Sequence, residues 1–383
     1  MDILSVFNTL WGWAYSALPF LFVLSTVVFF HELGHFLVAR WCGVRVLVFS
    51  IGFGPEIVGM DDRRGTRWKI SAIPLGGYVK FYGDENGASV PDQAAVTAMT
   101  VEQRKESLFH KPVGQRAAVV FAGPLANFLL AIVIFTGLFM IVGKRIEAAR
   151  VDTVLAESAA AAAGFQPGDL ILSINGRSIA SFSDMQRIVS GSAGEKLSII
   201  VERGGSQVTL SATPSLRESK DNFGSTLRIG VLGVSRSMSP GDVQYQTVGP
   251  IAAITGGFTE TWYLVEQTFS FIGGVFAGRQ SAEQLGGPIR IAEVSYQVAA
   301  AGIGALLHLT ALLSVSIGLL NLFPVPLLDG GHLLFYAIEA VRGRPLSERT
   351  QEMGFRIGFA LVIMLMIFAT YNDISGILRR FVS

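Results

Sequence analysis

The chain has 383 residues, of which 50% are apolar and only 15% are charged, and its formal net charge is +1. A soluble domain contains roughly 25% charged residues, so this composition, with a mean hydropathy of +0.49, is that of a membrane protein. The balanced charge excludes the broad basic field of a nucleic-acid-binding protein, so no nucleic acid is expected as a partner. The single cysteine, Cys42, excludes an internal disulfide.

The first predicted element is a transmembrane helix in segment 1–42. The first 30 residues contain no Lys or Arg, so we expect a retained span and not a cleaved signal peptide. The span contains the stretch VVFFHELGHFLVAR (27–40). Ionisable side chains inside a membrane are expensive and indicate a functional site.

The HELGH pattern in this span predicts a metal site. Positions i and i+4 of a helix lie about 40° apart, so His31 and His35 can both reach one ion. Glu32 is turned by about 100° from His31, where it can touch a metal-bound water. This H-E-x-x-H arrangement is typical of zinc bound by two imidazoles, with the glutamate as general base.

A predicted loop, 43–116, follows and precedes a second transmembrane helix at 117–142. Within the loop, RWKISAIPLGGYVKF (67–81) favours two short strands joined near Gly76-Gly77, with Pro74 marking an edge. An exposed strand edge can pair with an extended peptide. We therefore expect a membrane-associated β-hairpin element whose residues Gly76, Gly77, Tyr78 and Val79 bind substrate. The alternative is an ordinary cytoplasmic hairpin.

Segment 143–216 is predicted to be a small β-rich domain. A turn at Gln166-Pro167-Gly168-Asp169 precedes the apolar run Leu170 to Ile174, and Asn175-Gly176 is a strong hairpin signal. Residues 183–190 favour a short helix. This order resembles a PDZ domain, which implies a possible peptide C-terminus as ligand on a strand edge; the alternative is a folded spacer without a ligand. A region with amphipathic helices is expected at 217–301.

A third transmembrane helix is predicted at 302–323 and a fourth at 355–378, joined by segment 324–354. The stretch NLFPVPLLDGGH (321–332) contains Pro324 and Pro326, which stop a helix. Irregular backbone at membrane depth must line protein or a cavity. A catalytic zinc needs a third protein ligand; the remaining histidines are His110, His308 and His332, and Asp329 stands out among the acids near a span end. Its alternative is an N-cap of the next helix.

The pairing of HELGH with NLFPVPLLDGG resembles the site-2 protease family of intramembrane metalloproteases, in its bacterial RseP-type branch. Further segments resemble this family along nearly the whole chain: FSIGFGPEI (49–57), IPLGGYVKFYGD (73–84), FAGPLANFLLA (121–131) and LGGPIRIAE (285–293). The resemblance implies a polytopic α-helical membrane protein with four transmembrane helices and an inserted PDZ domain. The best-studied members carry two tandem PDZ domains, whereas this chain has room for one.

The resemblance also implies site residues. One zinc ion is expected on His31, His35 and Asp329, with Glu32 as the base, although iron or cobalt suits the same donors. Asn321 is expected to hold substrate, together with Pro324 and Pro326; the alternative for Asn321 is a residue that satisfies the backbone freed by the prolines. The remaining histidines are interpreted as packed or hydrogen-bonded interior residues: His110, His308 and His332.

The implied function is hydrolysis of single-span membrane proteins, such as anti-sigma factors, after a first cut by another protease in a stress response. Lys and Arg are concentrated in the loop 43–116, which favours a cytoplasmic position for that loop. The expected location is the bacterial inner membrane, in contact with lipid, with the active site towards the cytoplasm and the PDZ domain in the periplasm. Two alternatives are a membrane metal carrier, which usually has internal repeats, and a membrane-tethered PDZ scaffold.

Overall fold

The computed structural model describes residues 3–84, 98–146, 148–179, 181–220, 226–236 and 244–382. Its α-helices are, in chain order, α1 Ile3–Trp41, α2 Val101–Glu106, α3 Val113–Ile141, α4 Ala159–Ala163, α5 Phe182–Gly191, α6 Pro250–Phe276, α7 Pro288–Ala299, α8 Ile303–Asn321, α9 Asp329–Arg342 and α10 Glu348–Val382. Its strands are β1 Val46–Asp61, β2 Arg67–Phe81, β3 Lys144–Ile146, β4 Thr153–Val154, β5 Leu170–Ile174, β6 Arg177–Ser178, β7 Leu197–Arg203, β8 Ser206–Ala212, β9 Ser215–Lys220, β10 Thr226–Val231, β11 Val234–Ser235 and β12 Gln244–Gln246.

Four helices of the described chain are long and apolar enough to cross a membrane: Ala17–Trp41, Val113–Ile141, Ile303–Asn321 and Arg349–Arg380. Each coincides with a predicted span, which confirms the four-helix expectation. The third has 19 residues, or about 28 Å at 1.5 Å per residue, close to the thickness of the hydrocarbon core. The fourth extends beyond its predicted limits at both ends.

The chain folds as two compact units, and the first contains the transmembrane helices α1 and α8 and most of α3 and α10. It comprises the chain up to Phe135, Gly257–Val265 and Pro288–Phe368. A side chain at Gly34 of α1 would place its Cβ 2.2 Å from the carbonyl oxygen of Ala122 in α3, so these two helices meet backbone to backbone, as small residues permit in membranes. On the other side of α3, Ser314 Oγ of α8 donates a hydrogen bond of 2.8 Å to the Asn127 carbonyl.

The stretch 67–81 does contain two strand segments, but they do not pair with each other across a turn at Gly76-Gly77, so the predicted position of the hairpin turn is wrong. Strand β2 is continuous through these glycines, and Gly76, at φ +124°, bends it without ending it. The hairpin turn instead lies between β1 and β2. There the Asp62 carboxylate accepts backbone N–H bonds from Arg64, at 2.8 Å, and Thr66, at 3.0 Å. An Asp that bonds the backbone two residues ahead is a strong turn former. The turn therefore forms at Asp62 and not at the glycine pair.

Both long strands bend in the middle and form a sheet of four strand segments. Residues 48–51 pair with 77–80 on one side and with 67–70 on the other, while 56–61 pair with 67–71. The order of the segments is therefore 56–61, 67–71, 46–51 and 77–81. Phe49, Val79 and Phe81 are buried with Phe36 of α1 in one hydrophobic cluster. The segment 77–81, named here the edge segment, lies on the border of this sheet and beside α1.

A buried carboxyl closes the end of the edge segment. The Asp84 side chain accepts a hydrogen bond of 2.7 Å from the Phe81 N–H through Oδ2, whereas its Oδ1 has no hydrogen-bond partner among the described residues. Burial raises the pKa of this carboxyl from 3.8 to about 7, although Lys80 nearby favours the ionised form. The protonated acid is therefore the stable form in the folded protein below neutral pH.

The second unit is β-rich and contains Thr136–Gly256, Glu266–Gly287 and the chain from Ala369 onward. Its main sheet has the strand order β6-β5-β7-β8. Asn175 and Gly176, both with positive φ, form the turn between β5 and β6, and α5 occupies the position of the expected short helix. Alternate residues of these strands fill the core, including Ile171, Ile174, Leu197, Ile199 and Val201.

A buried ion pair holds the predicted turn before β5. Asp169 is fully buried, and Arg203 of β7 donates to its two carboxylate oxygens at 2.7 and 2.8 Å. The Gln166 N–H adds a third bond of 2.9 Å. Arg203 and these hydrogen bonds hold the pKa of Asp169 below its usual range. The Pro-Gly-Asp turn is thus fixed to the sheet.

The β-rich fold extends past residue 216, the boundary predicted from the sequence. Strand β11 pairs with β4, with Val234 opposite Val154, and Leu232 is buried in the same core. Strand β12 likewise pairs with β3. Without β12 and β11, the strands β3 and β4 would have unpaired backbone N–H and C=O groups. The region predicted to contain amphipathic helices therefore begins with strands, and its helices start only at Pro250.

The shifted pKa of Asp84 predicts a pH-dependent effect of Asp84→Asn. The folded protein holds the carboxyl proton up to about pH 7, whereas the unfolded chain releases it near 3.8, so wild-type stability declines as pH rises through this window. Asparagine can still accept from the Phe81 N–H and does not ionise. We expect the variant to gain thermal stability relative to wild type progressively from pH 4 to pH 7, measured in detergent, while the exposed Asp61→Asn shows no such trend. If Asp84→Asn changed the thermal stability by the same amount at pH 4 and at pH 7, the result would contradict a carboxyl that stays protonated in the folded protein.

Candidate active site

Three possible metal ligands meet within the first unit. His31 Nε2 lies 3.2 Å from His35 Nε2, and Asp329 Oδ2 lies 3.1 Å from His31 Nε2 and 3.5 Å from His35 Nε2. The two imidazoles are buried, and Asp329 is half-buried. Residues separated by almost three hundred positions in sequence thus present three donor atoms to one point.

Hydrogen bonds from α3 orient both imidazoles. His35 Nδ1 lies 2.9 Å from the Val119 carbonyl, which requires a proton on Nδ1 and leaves Nε2 free to ligate. His31 Nδ1 lies 3.2 Å from the amide nitrogen of Asn127, whose buried Oδ1 has no partner among the described residues. A half-turn of this amide brings Oδ1 to a protonated His31 Nδ1 and satisfies both groups. Asn127 can therefore set His31 in the same tautomer as His35.

A glycine makes room for the imidazole pair. A Cβ at Gly123 would lie 2.3 Å from His35 Nε2 and 3.0 Å from His31 Cε1, closer than side-chain atoms can approach. Only glycine at this position of α3 allows both rings to stand against the helix.

Asp329 is presented by irregular backbone between α8 and α9. In this stretch Leu327 has φ +99°, a strained conformation for a residue with a side chain. Pro326 packs against the glycines Gly331 and Gly358. The N-cap of α9 is Leu328, which forms no side-chain cap, and Asp329 is the first helical residue. The alternative role of Asp329 as an N-cap is therefore wrong.

A cavity of about 190 Å³ opens beside the three donors. It is lined by His31, Glu32, His35, Gly77, Tyr78, Val79, Phe81, Val119, Val120, Asn321, Leu327, Leu328, Asp329 and His332. It therefore contains most of the residues expected to act on substrate. Gly76, Pro324 and Pro326 are not among its lining residues: a Cβ at Gly76 would lie against the Phe53 ring, and Pro326 serves packing.

The edge segment brings the backbone to the glutamate. The Val79 N–H lies close to the Glu32 carboxylate, and a Cβ on Gly77 would lie 3.2 Å from Glu32 Cγ. Glu32 is therefore held between α1 and the edge segment, next to the metal donors without being one of them.

The other histidines do not all match the expectation of interior packing. His332 lines the cavity and its ring contacts Phe355 at 5.4 Å between centroids. His308 is exposed on α8 and contacts the Phe135 ring, and His110 is exposed in a short 3-10 helix. For these two the interior interpretation is wrong, because their helices turn them away from the packed face.

The donor set suits zinc. A tetrahedral zinc with bonds of about 2.0–2.1 Å separates its ligand atoms by roughly 3.3 Å, and the three donor separations here are 3.1, 3.2 and 3.5 Å. The buried Oδ2 atom of Asp329 accepts no hydrogen bond from the described residues. The two negative charges of the Glu32 and Asp329 carboxylates also balance the charge of a divalent cation.

Two histidines and a glutamate in a membrane-spanning helix, joined by an aspartate that follows another span, define a membrane metalloenzyme. Residues 19–365 match peptidase family M50, and the chain belongs to this family. It is a zinc metalloprotease.

Proteins of similar length share this sequence over most of the chain. A candidate zinc metalloprotease of Agrobacterium fabrum, Atu1380, is 50% identical over 94% of this chain and 96% of its own. A second, R01501 of Rhizobium meliloti, is 48% identical over 94% and 96%. Metalloprotease MmpA of Caulobacter vibrioides is 42% identical over 95% of this chain and 96% of its own.

Among solved structures, the PDZ domain of an SdrC-like protein from Listeria monocytogenes is similar to part of this chain. The identity is 20%, the TM-score is 0.18, and the match covers 22% of this chain and 83% of that one. A similarity at this score does not define the fold of the β-rich unit.

The residues of α3 that shape the site were missed by the sequence interpretation. Asn127 and Gly123 lie in the stretch FAGPLANFLLA, which suggested the family but no roles. An amide within an apolar span is a recognisable signal, since polar groups at membrane depth must bond to something. No comparable feature of the sequence indicates that Gly123 leaves space for the His31 and His35 rings.

We expect Gly123→Ala to weaken zinc binding by about 10- to 100-fold, the range typical of disturbed ligand orientation. The new methyl group must displace the His35 ring. A Cβ at Gly137 of the same helix would have no atom of the described residues within 4 Å, so Gly137→Ala is the control. Chelator competition on the purified proteins measures the effect. Equal zinc affinity in both variants would mean that the rings can move aside.

Proposed function

We propose that this zinc metalloprotease hydrolyses peptide bonds within or near the transmembrane segment of single-span membrane proteins. The observation that carries the proposal is the convergence of His31 and His35, in the first membrane span, with Asp329, which begins the helix that follows the third span. A protease whose donors belong to apolar helices acts on substrate that reaches the same depth. The substrate class expected is that of anti-sigma factors already shortened by another protease.

The metal ligands, Glu32 and Asn321 have different roles in the proposed reaction. His31, His35 and Asp329 would hold the zinc ion, which would act as a Lewis acid towards the substrate carbonyl and would make a water acidic enough to deprotonate near neutral pH. Glu32 takes the water proton and transfers it to the leaving amine. The Asn321 amide, at the end of α8, holds the substrate backbone in the cavity.

The edge segment solves the problem of access to a helical substrate. A peptide bond in a transmembrane helix is shielded by its own hydrogen bonds, so the helix must unwind first. Neighbouring residues of a strand direct their N–H and C=O groups to opposite edges. Since the Val79 N–H faces Glu32, the backbone of Gly77 also faces the cavity, and an unwound substrate can pair there.

The proposed setting is the bacterial inner membrane, with the active site towards the cytoplasm. Lys and Arg concentrated in 43–116 support a cytoplasmic position for the loop that carries the edge segment. The β-rich unit would then be a periplasmic PDZ domain that excludes untrimmed substrates or binds a peptide C-terminus. Its hairpin at Asn175-Gly176 and the helix α5 support the PDZ assignment.

The test is Glu32→Gln in a cleavage assay with a reconstituted single-span reporter. Glutamine can still accept from the Val79 N–H but cannot take a proton, so the rate should fall by about 10²- to 10⁴-fold while zinc content stays at one ion per chain. Glu56→Gln, an exposed carboxylate paired with Arg67, is the control.

Two other classes of protein remain as outcomes of this test. A metal carrier would show zinc transport across vesicles that survives Glu32→Gln, and a scaffold would bind peptide with no cleavage by the wild type. Either result, with no cut reporter, would reject the proteolytic assignment at membrane depth.

Tyr78→Pro tests the role of the edge segment. Proline removes the N–H at Tyr78 and fixes φ, which breaks pairing with Ser50 and misaligns Gly77 and Val79. We expect reporter cleavage to fall about 100-fold, as for a displacement of about 1 Å, with zinc content unchanged. Val58→Pro, on the opposite border of the sheet, is the matched control. Full activity of the Tyr78 variant would exclude strand pairing.

A further inference from the structure

His332 is a polar residue of the cavity that the roles above leave unused. It lies three residues after Asp329 on α9, and positions i and i+3 share a helix face. Its half-buried ring lines the same cavity as Glu32 and the imidazole pair. One side of the ring is supported by Phe355, which limits its freedom to turn away.

Two simpler roles for His332 do not fit the structure. It is not part of the donor cluster, in which every ligand atom lies within 4.8 Å of the others. Nor does it make a structural hydrogen bond: among the described residues, its side chain contacts the Phe355 ring and feels the charges of Asp329 and His35, and no hydrogen bond of a ring nitrogen is found. A ring nitrogen that faces a cavity without a protein partner is available to a ligand.

The polar side chains nearest the donors already have roles, and the Asn321 amide is assigned to the substrate backbone. The Glu32 and Asp329 carboxylates are hydrogen-bond acceptors, and His31 and His35 have their Nδ1 atoms on Asn127 and Val119. An imidazole carries at least one N–H in either protonation state. His332 can therefore donate a hydrogen bond into the cavity from the ring nitrogen that carries its proton.

We propose that His332 is a further catalytic residue, which donates a hydrogen bond to the carbonyl oxygen of the scissile peptide as negative charge develops there. The inference rests on the proposed function. A preorganised donor aimed at a developing oxyanion is among the strongest contributions to catalysis.

The step balances without any additional reactant. The water oxygen forms a bond to the carbonyl carbon, the carbonyl π electrons move to the oxygen, and Glu32 receives the water proton. His332 donates a hydrogen bond and keeps its own proton. The C–N bond then breaks, the oxygen electrons restore the carbonyl, and Glu32 returns the proton to the amine.

The experiment compares His332→Phe and His332→Gln with wild type. Phenylalanine preserves the contact with Phe355 and removes the N–H, so kcat should fall about 10²- to 10³-fold with KM and zinc content unchanged. Glutamine restores a donor and should recover part of the rate. The control is His308→Phe, on the exposed face of α8.

A binding measurement separates this role from a structural one. A phosphinic peptide, which mimics the tetrahedral state, should bind His332→Phe more weakly by the same factor as the loss in kcat, whereas a peptide hydroxamate should bind it and wild type equally. Loss of zinc from His332→Phe, or an unchanged kcat, would overturn the inference.

The same measurements distinguish this inference from the proposed function. If wild type cuts an unfolded soluble peptide but not the membrane reporter, the proposed cleavage of transmembrane segments is rejected. His332→Phe and His332→Gln are then compared with wild type on the soluble peptide. If His332→Phe matches wild type on whichever substrate is cut, only the inference about His332 fails.

Discussion

A hydrocarbon environment does not accept charge without compensation, and this constraint governs the first unit. Glu32, in an apolar spanning helix, and Asp329, at the start of α9, contribute two carboxylates close to two imidazoles. A divalent cation is the group that balances this set most directly. The surrounding structure follows from keeping the donors aligned: α3 supplies the Val119 carbonyl and the Asn127 amide.

The second requirement is backbone that can be irregular at membrane depth. Asp329 follows a proline-containing segment in which Leu327 has a strained conformation, and the edge segment belongs to a sheet that lies beside α1. Both features are tolerated in a membrane protein only where they line protein or a cavity. Here they line the same cavity, so the elements that a bilayer would otherwise exclude are gathered at the place where the chemistry occurs.

The sequence predicts the parts of this structure that depend on local pattern. Apolar runs located the four spans, and the i, i+4 spacing of His31 and His35 located the donors. It failed where a long-range contact decided the result. The turn at Asp62 competed with the glycine pair at 76–77, and the later strands β11 and β12 joined a domain predicted to end at 216. The clearance at Gly123 depends on α3 approaching α1, which no spacing within either helix reveals.

The contact between Gly34 and Ala122 has a consequence for how the cavity can change shape. Where two helices touch through their main chains, no side chain is left to rearrange, so the cavity wall that α1 and α3 form with His31, His35, Val119 and Val120 is stiff. The opposite wall consists of the edge segment and the stretch before Asp329, which can move by bending single peptide units. A large ligand must therefore be accommodated by movement of the edge segment or of the stretch before Asp329. Inhibitors extended towards α3 will find no additional space.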